Sequence, residues 1–556
     1  MRISPSSFRA AAVALLVALG SSWRVQGQTM PPAWRWANAA ASPATTFLNG
    51  MITDAAGNTY TAGVFEAALT LGAGTVLMPQ RDEDAYVAKY SATGTLLWAR
   101  HLAGNGNERI GGFVADAAGN VYLTGTFSGT LQLGTLSLPR TSGAGTYMAS
   151  LDAQGQPGWL REVSSNGALA HSMGVDAAGN LYISGFFSDM ATVGGITLSA
   201  RNSLSNFVAK FNTAGTAQWA QLGGSIPLSA TISSFYSHTL TVSPAGDVYL
   251  SWTMNSVAGG FGSGPPPAGY GNNDVTLVRY NPQGVVQWQK RYGTAGDDYA
   301  GVTGLDGNGH LLLPMTFSTT GPATVGTQTL TGTGQLYGAL LQLDADTGSP
   351  QWVQKLEASN SVVFRTVVAD AAGNGYVAGS LSGTAQAGSQ QMSSNGPNPD
   401  ALVASYSAQG TPRWFQKSGS TEPEFAHFIA LSGRNELSVG GSFTRQSQFG
   451  STTLTGGGTG VFNAFVARFG TLATTTQAAR GLALGIFPLP ATDQLHLPTL
   501  PPGTPVQLLD ALGRVARTTT VSAAADISVR GLAPGLYTLR ATNKQGQQVA
   551  ARVVVE

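Results

Sequence analysis

Residues 116–127 read Asp-Ala-Ala-Gly-Asn-Val-Tyr-Leu-Thr-Gly-Thr-Phe, a turn that runs directly into a strand. The side chain of Asp116 can accept hydrogen bonds from the backbone two residues on, and Gly119 can take the positive φ that such a turn needs. The segment Val121–Phe127 alternates with period two and is rich in residues that favour strands. The pattern therefore predicts a tight turn followed by a β-strand.

The same turn recurs along the chain. Asp-Ala-Ala-Gly-Asn occurs again at 54–58, 176–180 and 370–374, and degenerate versions stand at 243–247, 306–310 and 431–435. One Trp belongs to each unit, with successive spacings of 60 to 69 residues: Trp36, Trp98, Trp159, Trp219, Trp288, Trp352 and Trp414. This period of about 62 residues indicates repeated units rather than the three or four unrelated domains that length alone suggests.

Each unit is predicted to hold four short strands and a small hairpin. In the second unit these are Gly112–Ala115, Val121–Phe127, the hairpin Leu131–Leu138, Tyr147–Leu151 and the strand that carries Trp159. One four-stranded sheet cannot bury both of its faces alone, so repeated sheets of this kind close into a β-propeller.

The two ends of the repeat region complement each other. The segment Trp34–Ala39 precedes the first turn, whereas the last unit stops at its third strand, Phe462–Phe469, with no Trp strand after it. The first segment can therefore supply the outer strand of the last blade. We expect an all-β fold in which residues 28–470 form a seven-bladed β-propeller closed by the N-terminal strand 34–39. An open β-solenoid is the alternative, and it would leave this complementarity unexplained.

The repeat resembles a known family at two of these segments. Asp-Ala-Tyr-Val-Ala-Lys-Tyr at 84–90, followed by Gly-Thr-Leu-Leu-Trp at 94–98, is similar to the bacterial β-propeller repeat called SBBP, as is the stretch 116–125. The resemblance extends over about residues 34–470. It implies a secreted or surface propeller and no defined activity.

The N-terminus has the features of a secretory signal peptide. Arg2 and Arg9 precede an apolar run at 10–19, and Val25 and Gly27 fit the small-residue cleavage pattern. We predict a signal peptide over 1–27; a run of about ten residues is too short to span a bilayer, which needs roughly 20. An uncleaved N-terminal anchor is the alternative. No later stretch is long enough to span a membrane, so we expect an exported protein without a transmembrane segment.

A different pattern begins after the repeats. A polar linker is predicted at 471–481, and 482–556 holds seven short alternating segments that predict a small Ig-like β-sandwich: Ala483–Phe487, Gln494–Leu497, Val506–Asp510, Val515–Thr519, Ile527–Val529, Gly535–Ala541 and Gln548–Val555.

Four motifs in this C-terminal region, 487–493, 509–514, 533–537 and 553–556, resemble the type A C-terminal sorting domain of type IX secretion cargo in Bacteroidetes. The family usually has Pro-Asn-Pro where this chain has Pro-Leu-Pro at 488–490. The resemblance implies handling by the type IX machinery through 482–556, and release or attachment at the cell surface. A plain accessory Ig-like domain is the alternative. The motif residues are Pro488, Pro490, Asp510, Gly513, Arg514, Pro534, Gly535 and Tyr537.

Composition excludes several classes of function. Only 10% of residues are charged and the net charge is +1, which gives no electrostatic reason to expect a nucleic-acid partner. The absence of Cys excludes disulfides, a thiol nucleophile and cysteine-ligated metals. No phosphate-binding glycine loop, nucleophile elbow or zincin helix is present, so we expect no cofactor, no resident metal and no catalytic residue recognisable from sequence.

Candidate ligand-binding residues follow from the repeat register. In propellers, the loops between blades share a face with the loops between second and third strands, around the mouth of the central channel. His171, His238 and Arg365 stand five residues before the turn, and His427 stands four before Leu431. Three His at one register could bind a metal, line an ordinary polar rim or hold a polar ligand. The channel-mouth candidates are His171, Tyr236, His238, Asp297, Asp298, Arg365 and His427.

These observations leave three functions open. We expect a non-enzymatic, exported binding or adhesion scaffold whose propeller face meets a glycan or another protein. The alternative is an extracellular hydrolase or lyase that degrades polysaccharide, which would gather carboxylates or His within hydrogen-bonding reach around the axis. A purely structural surface component would bind no ligand.

Overall fold

The structure is a computed structural model that describes residues 31–72, 74–141, 143–164, 167–227, 238–255, 261, 267–387, 390–471, 487–488, 490–498, 500–510, 515–542 and 548–556. All regular secondary-structure elements in these ranges are β-strands, so the all-β prediction is confirmed. The chain divides into two compact units between residues 472 and 473.

In the first unit the first six repeats each form four consecutive antiparallel strands, of which the first strand of the fifth repeat is split in two, and the seventh repeat forms three. Through the first three repeats they are Thr46–Thr53, Thr59–Phe65, Asp84–Tyr90 and Leu96–Gly104; Glu108–Ala115, Val121–Ser128, Ala144–Leu151 and Pro157–Ser164; and Leu169–Val175, Leu181–Val193, Ile196–Phe211 and Ala217–Pro227. The strands predicted for the second repeat are thus confirmed, with small extensions.

The same order continues through the later repeats. The strands are His238–Val242, Val248–Asn255, Asn273–Tyr280 and Val286–Tyr292; Tyr299–Ala300 with Gly304–Leu305, His310–Ser318, Leu336–Asp344 and Pro350–Leu356; Ser361–Ala369, Gly375–Ser382, Asp400–Tyr406 and Pro412–Ser418; and Glu424–Leu431, Glu436–Thr444 and Phe462–Thr471. Short hairpins follow several second strands: Leu69–Leu71 with Thr75–Leu77, Leu131–Leu133 with Leu136–Leu138, Ala323–Val325 with Gln328–Leu330, Thr384–Ala387 with Gln390–Ser393, and Gln446–Phe449 with Thr452–Thr455.

The N-terminal strand joins the last of these sheets. Trp34–Ala41 runs antiparallel to Phe462–Thr471, with Ala37 opposite Ala467 and Ala40 opposite Ala464. The sheet that ends the first unit therefore combines both ends of the repeat region. Three of its strands come from more than 380 residues further along the chain, and the hairpin Leu69–Leu71 with Thr75–Leu77 pairs with the other edge of Trp34–Ala41.

The hydrophobic core lies between neighbouring sheets. One cluster joins Tyr60 and Val87 of the first repeat to Leu123 and Tyr147 of the second, all of them fully buried. Each sheet thus covers its neighbour's apolar face, and every buried aliphatic or aromatic side chain contributes roughly 1.5–3 kcal/mol. The result is an all-β, propeller-like arrangement in which sheets stabilise one another in series.

The recurring Asp holds its turn and the strand that follows. Asp54 accepts hydrogen bonds from the backbone N–H of Asn58 at 2.8 Å, from the Asn58 side chain at 2.7 Å and from the Tyr60 hydroxyl at 3.3 Å. The copies at Asp116, Asp176 and Asp370 make the same set of contacts. These carboxylates are therefore occupied within their own turns.

The Trp of each outer strand forms a hydrogen bond to the neighbouring sheet. Its indole N–H donates to a carbonyl in the turn before the next sheet's outer strand, at 3.0–3.3 Å: Trp36 to Ala92, Trp98 to Ala153, Trp159 to Thr213, Trp219 to Pro282, Trp288 to Ala345 and Trp352 to Ala408. The pattern stops at Trp414, whose buried N–H has no hydrogen-bond partner among the described residues. The sheet that faces Trp414 has no such turn, because the two strands that a turn would join, Phe462–Thr471 and Trp34–Ala41, come from opposite ends of the repeat region.

Each of these turns closes with a Gly that lies under the Trp ring. At Gly155, φ is +75°, and a Cβ atom would lie 2.7 Å from Cδ2 of Trp98. We predict that Gly155→Ala lowers the free energy of unfolding by about 2 kcal/mol or more, because it adds a ring clash to the strain of a positive φ.

Gly307 is the matched control for this substitution. It has a similar φ of +71°, but a Cβ atom there would meet nothing within 4 Å. In urea unfolding, Gly307→Ala should therefore cost about 1 kcal/mol, the backbone strain alone. Equal losses for the two variants would contradict the fastening role assigned to Trp98.

The described residues of the second unit hold six strands: Gln494–His496, Pro505–Leu509, Val515–Thr520, Asp526–Ser528, Gly535–Thr542 and Gln548–Val555. Four of them form one sheet, and the first pairs with the fourth in a second, two-stranded sheet. Leu495, Leu508, Ile527, Leu539 and Val553 form its core. Six of the predicted strands are found within one or two residues, whereas Ala483–Phe487 lies outside the described residues except for Phe487.

Candidate functional site

The first strands of the repeats surround one cavity of about 1260 Å³. Its walls come from the segments 47–54, 111–116, 171–175, 239–242, 300–305, 365–369 and 425–433, with Ser442 and Phe462. Hydrogen bonds link neighbouring walls: the Thr241 hydroxyl donates to the Thr303 carbonyl at 2.9 Å, and the Thr366 hydroxyl to the His427 carbonyl at 2.6 Å. The cavity is therefore a channel framed by strand edges.

A β-bulge directs one residue of most of these strands into the channel. Strand pairing skips a residue between Leu48 and Gly50, and the same skip recurs in four other repeats. A bulge leaves its extra residue outside the ladder and re-aims its side chain. The skipped residues, which we call the bulge ring, all line the channel: Asn49, Gly111, His171, Arg365 and His427.

Two described imidazoles line the channel here: His427 is half-buried and His171 is exposed to the channel. Burial, with a smaller effect of the Arg365 charge, lowers the pKa of His427 to about 4. Its Nε2 lies 3.0 Å from the Ser442 hydroxyl. Burial also lowers the pKa of His171, whose ring stacks on Phe186 at 4.7 Å. Both side chains are therefore neutral near pH 7 and can serve as polar, uncharged groups.

The seven channel-mouth candidates are not all brought together. His171, Arg365 and His427 line the channel. Tyr236 lies outside the described residues, and for His238 only the backbone is described. Asp297 accepts a hydrogen bond from the Asn273 side chain at 2.7 Å, and Asp298 is fully buried and bound by Thr294 and Ser318. Neither Asp is among the channel-lining residues.

Asn49 is a channel residue that our sequence reasoning missed. It stands five residues before Asp54, the same register as His171 and Arg365. Its Oδ1 atom is buried and has no hydrogen-bond partner among the described residues. The repeat register alone could have identified it.

Buried carboxyl pairs at the joints between sheets were also missed. Asp84 begins a third strand and Glu108 begins the next sheet; both are fully buried. Burial and the neighbouring Asp84 raise the pKa of Glu108 to about 9. Because Asp84 Oδ1 and both Glu108 carboxyl oxygens have no other partner among the described residues, a proton held by Glu108 and shared with Asp84 satisfies the pair. His101 Nε2 lies 2.6 Å from the other Asp84 oxygen.

The same pair recurs at two more joints. Burial raises the pKa of Asp298 to about 7 beside Asp274, and that of Glu424 to about 7 beside Asp400. The pKa values of Asp274 and Asp400 are also raised by burial. Lys417 lies 2.7 Å from Asp400. In all three pairs the two carboxyls are 24 residues apart in sequence, a spacing that could have revealed them.

No group of three or more His, Asp or Glu among the described residues is placed to hold a metal ion. The channel-lining carboxylates Asp54 and Asp116 are engaged by the Asn and Tyr of their own turns. The chemistry the channel presents at its bulge ring is thus one guanidinium, neutral imidazoles and an amide.

In the second unit, the described sorting-motif residues are mostly exposed. Pro488, Pro490, Pro534 and Gly535 are accessible to solvent, whereas Tyr537 is buried and donates its hydroxyl to the Ala533 carbonyl at 2.8 Å. The described ranges also include Asp510 but neither Gly513 nor Arg514.

Comparison with known proteins gives one family match. Residues 485–556 match the model of the secretion system C-terminal sorting domain. An uncharacterised WD repeat-containing protein of Acanthamoeba polyphaga mimivirus is 26% identical, over 25% of this chain and 12% of that protein. The chain thus spans only a small part of that relative.

Similar solved structures are distant. They include a quinohemoprotein alcohol dehydrogenase from Comamonas testosteroni (TM-score 0.36, 10% identity, 80% of this chain and 77% of that chain). A polysaccharide lyase of family PL25, an ulvan lyase, has TM-score 0.37 and 11% identity over 73% and 93%. Prolyl oligopeptidase B from Galerina marginata has TM-score 0.38 and 8% identity over 93% and 56%. At TM-scores below 0.5, these likenesses carry no conclusion about activity.

The family match confirms the sorting-domain prediction. Among the described residues, no helix is long and apolar enough to cross a membrane. Such a tail directs its protein to export, either to the cell surface or into the medium. Residues 485–556 are therefore a type IX secretion C-terminal sorting domain, carried by an all-β, propeller-like protein.

Proposed function

We propose that this protein is a non-enzymatic binding or adhesion scaffold: an exported, seven-bladed β-propeller over residues 28–470, preceded by a signal peptide at 1–27. A linker at 471–481 and an Ig-like sorting sandwich at 482–556 complete it. The observation that carries the proposal is the convergence of wall segments from every repeat on one channel, in a chain that ends with a sorting domain. The pairing of Trp34–Ala41 with Phe462–Thr471 supports closure of the ring.

The repeat itself is of the SBBP type, a class of secreted or surface propeller. Support comes from the Asp turn and the Trp fastening, which the structure repeats from sheet to sheet. These motif residues bind one another, so they build the scaffold and leave ligand binding to positions where the repeats differ. The bulge ring is such a position, because its residues are Asn, Gly, His and Arg in different repeats.

The ligand site is the channel mouth, formed by His171, Arg365 and His427 together with Tyr236 and His238 on the fourth repeat. Asp297 and Asp298 support the adjacent loop of the fifth repeat. The binding scaffold is favoured over a hydrolase or lyase because the channel's described carboxylates are held in turns, away from the imidazoles.

Export is tested by deleting residues 482–556 in a type IX host. We expect the shortened protein to accumulate in the periplasm, because the first unit would cross the inner membrane without the signal for the outer one. Fractionation and immunoblotting measure this. As the matched control, residues 482–556 fused to a periplasmic reporter should carry the reporter out of the cell. Unchanged release of the deleted protein would contradict the sorting role.

Binding is tested by screening the full chain against a glycan array and a surface-protein extract. Ligands should be bound without being changed, as judged by the absence of new reducing ends or unsaturated sugar products. Turnover of any bound polysaccharide would contradict the scaffold proposal in favour of the hydrolase or lyase. No ligand of any kind would favour the structural surface component.

A further inference from the structure

One cation in the channel lacks a counter-charge. Arg291 and Arg468 are buried, whereas Arg365 lines the channel and is exposed to it. Arg291 pairs with Asp274 at 3.1 Å and Arg468 with Glu436 at 2.8 Å. The charge that acts on Arg365 is that of Tyr299, and no carboxylate of the described residues is among its electrostatic neighbours. A guanidinium that faces the channel and is not held by a carboxylate is available to an anionic ligand.

The surroundings of Arg365 leave room for that anion. His427 and His171 are neutral at pH 7, so they neither repel nor replace it. The nearest lining carboxylates, Asp54 and Asp116, stand five residues beyond the bulge ring along their strands, roughly 16 Å away along the channel. An oxyanion entering at the ring would therefore meet one positive charge and no negative one.

The channel wall also carries aromatic side chains, one of which is exposed. Phe47, which is 46% exposed, lines the cavity with Phe425 and Phe462. The rings of Phe425 and Phe462 lie 6.1 Å apart, and Phe425 is stacked parallel to His427. Flat apolar faces beside a cation suit a ligand that has apolar C–H faces and acidic groups. The volume of about 1260 Å³ exceeds the roughly 300–1000 Å³ typical of small-molecule pockets, so an oligomer fits.

We propose that the channel mouth binds an acidic oligosaccharide, whose carboxylate or sulfate pairs with the Arg365 guanidinium while a sugar ring packs on Phe47 and Phe425. This inference rests on the proposed function and names its ligand class. The planar fork of Arg matches a carboxylate or sulfate in two parallel hydrogen bonds, which gives specificity as well as affinity.

The test is calorimetric titration of the full chain with oligogalacturonate, its fully methyl-esterified form and a heparin-derived oligosaccharide. The ester keeps the sugar backbone and removes the charge, and heparin supplies sulfate. We expect an acidic oligosaccharide to bind and the ester not to bind. Arg365→Gln should weaken binding by about ten- to a hundredfold, the usual worth of a hydrogen bond to a charged group.

Arg445→Gln is the matched control, because Arg445 is an exposed cation that already pairs with Glu422 at 3.5 Å. It should leave affinity within about twofold. Arg365→Gln should also keep its melting temperature, since no described partner is lost. Equal binding of ester and acid, equal affinity of Arg365→Gln and the parent protein, or no binding of either acidic probe would overturn the inference. In each case, binding of a neutral glycan or protein would leave the scaffold function standing.

Discussion

A chain that lacks residues 31–41 will unfold at a much lower temperature than the full chain. The strand Trp34–Ala41 supplies the outer strand of the sheet that joins the two ends of the repeat region. Trp34 stacks on Phe469 with centroids 3.8 Å apart, and the Trp36 N–H donates to Ala92 at 3.0 Å. Both indoles are half-buried. Losing one fully buried Trp typically costs 3–5 kcal/mol, so we expect the loss of two half-buried Trp and of the strand's hydrogen bonds to cost roughly 5 kcal/mol together.

Two measurements separate closure from a general effect of truncation. A chain that starts at residue 31 should melt like the parent, because it retains the strand. A synthetic peptide of residues 31–44, added to the shortened chain, should restore much of the lost melting temperature by refilling the edge of Phe462–Thr471. An unchanged melting temperature on deletion would show that the strand contributes nothing to the ring.

The protein will become more stable as the pH falls from 9 to 6.5. Glu108 has its pKa raised to about 9 in the folded chain, whereas an unfolded Glu titrates near 4.3. Between those values the folded state holds a proton that the unfolded state has lost, so stability is present at low pH and is lost as the pH rises through 9. Asp298 and Glu424, with pKa values of about 7, add to this below neutrality.

Two histidines oppose this trend at lower pH. The lowered pKa values of His427 and His171 make the unfolded state bind more protons once the pH falls below about 6.5, which opposes the carboxyl effect. We therefore expect a gain of about 2 kcal/mol from pH 9 to 6.5; below 6.5 the two histidines offset part, but not all, of the further gain from the three carboxyls. Thermal unfolding followed across this range by circular dichroism measures it.

Glu108→Gln tests the origin of the pH dependence. The amide keeps the shape, removes the titrating proton and can donate to Asp84 Oδ1, so the slope of stability against pH should flatten and the variant should be the more stable protein at pH 9. Glu66, an exposed Glu, gives the control: Glu66→Gln should leave the slope unchanged. If Glu108→Gln kept the same slope of stability against pH as the parent protein, the buried pair of Glu108 and Asp84 would be ruled out as the source of that slope.

The repeat could be predicted from sequence because its signals are local. The Asp turn and the alternating strand at 116–127 need only neighbouring residues, and the copied Trp marks each unit. These features predicted the strands of the second repeat to within a few residues. The four C-terminal motifs likewise predicted the sorting domain that the family match confirms.

For the site, the sequence predicted only the position of the candidate residues within each repeat. Counting from the turns placed His171, Arg365 and His427 at equivalent positions, and the channel gathers them. Sequence could not show that a bulge re-aims each of them, because a bulge is defined by the partner strand. It also could not show that Asp297 and Asp298 lie outside the channel lining, since that depends on Asn273, Thr294 and Ser318.

Local sequence specifies the repeating units of this protein: turn, strand, Trp and tail. The hydrogen bonds of the Asp turn close within a few residues, and the periodicity of strand and Trp is visible without any distant partner. The joints between sheets depend on the folded arrangement: there Glu108 meets Asp84 and Trp414 faces a sheet without its turn, and in the channel Arg365 has no carboxylate among its described neighbours. Those properties depend on burial and on charges from other sheets, which no local stretch of sequence carries.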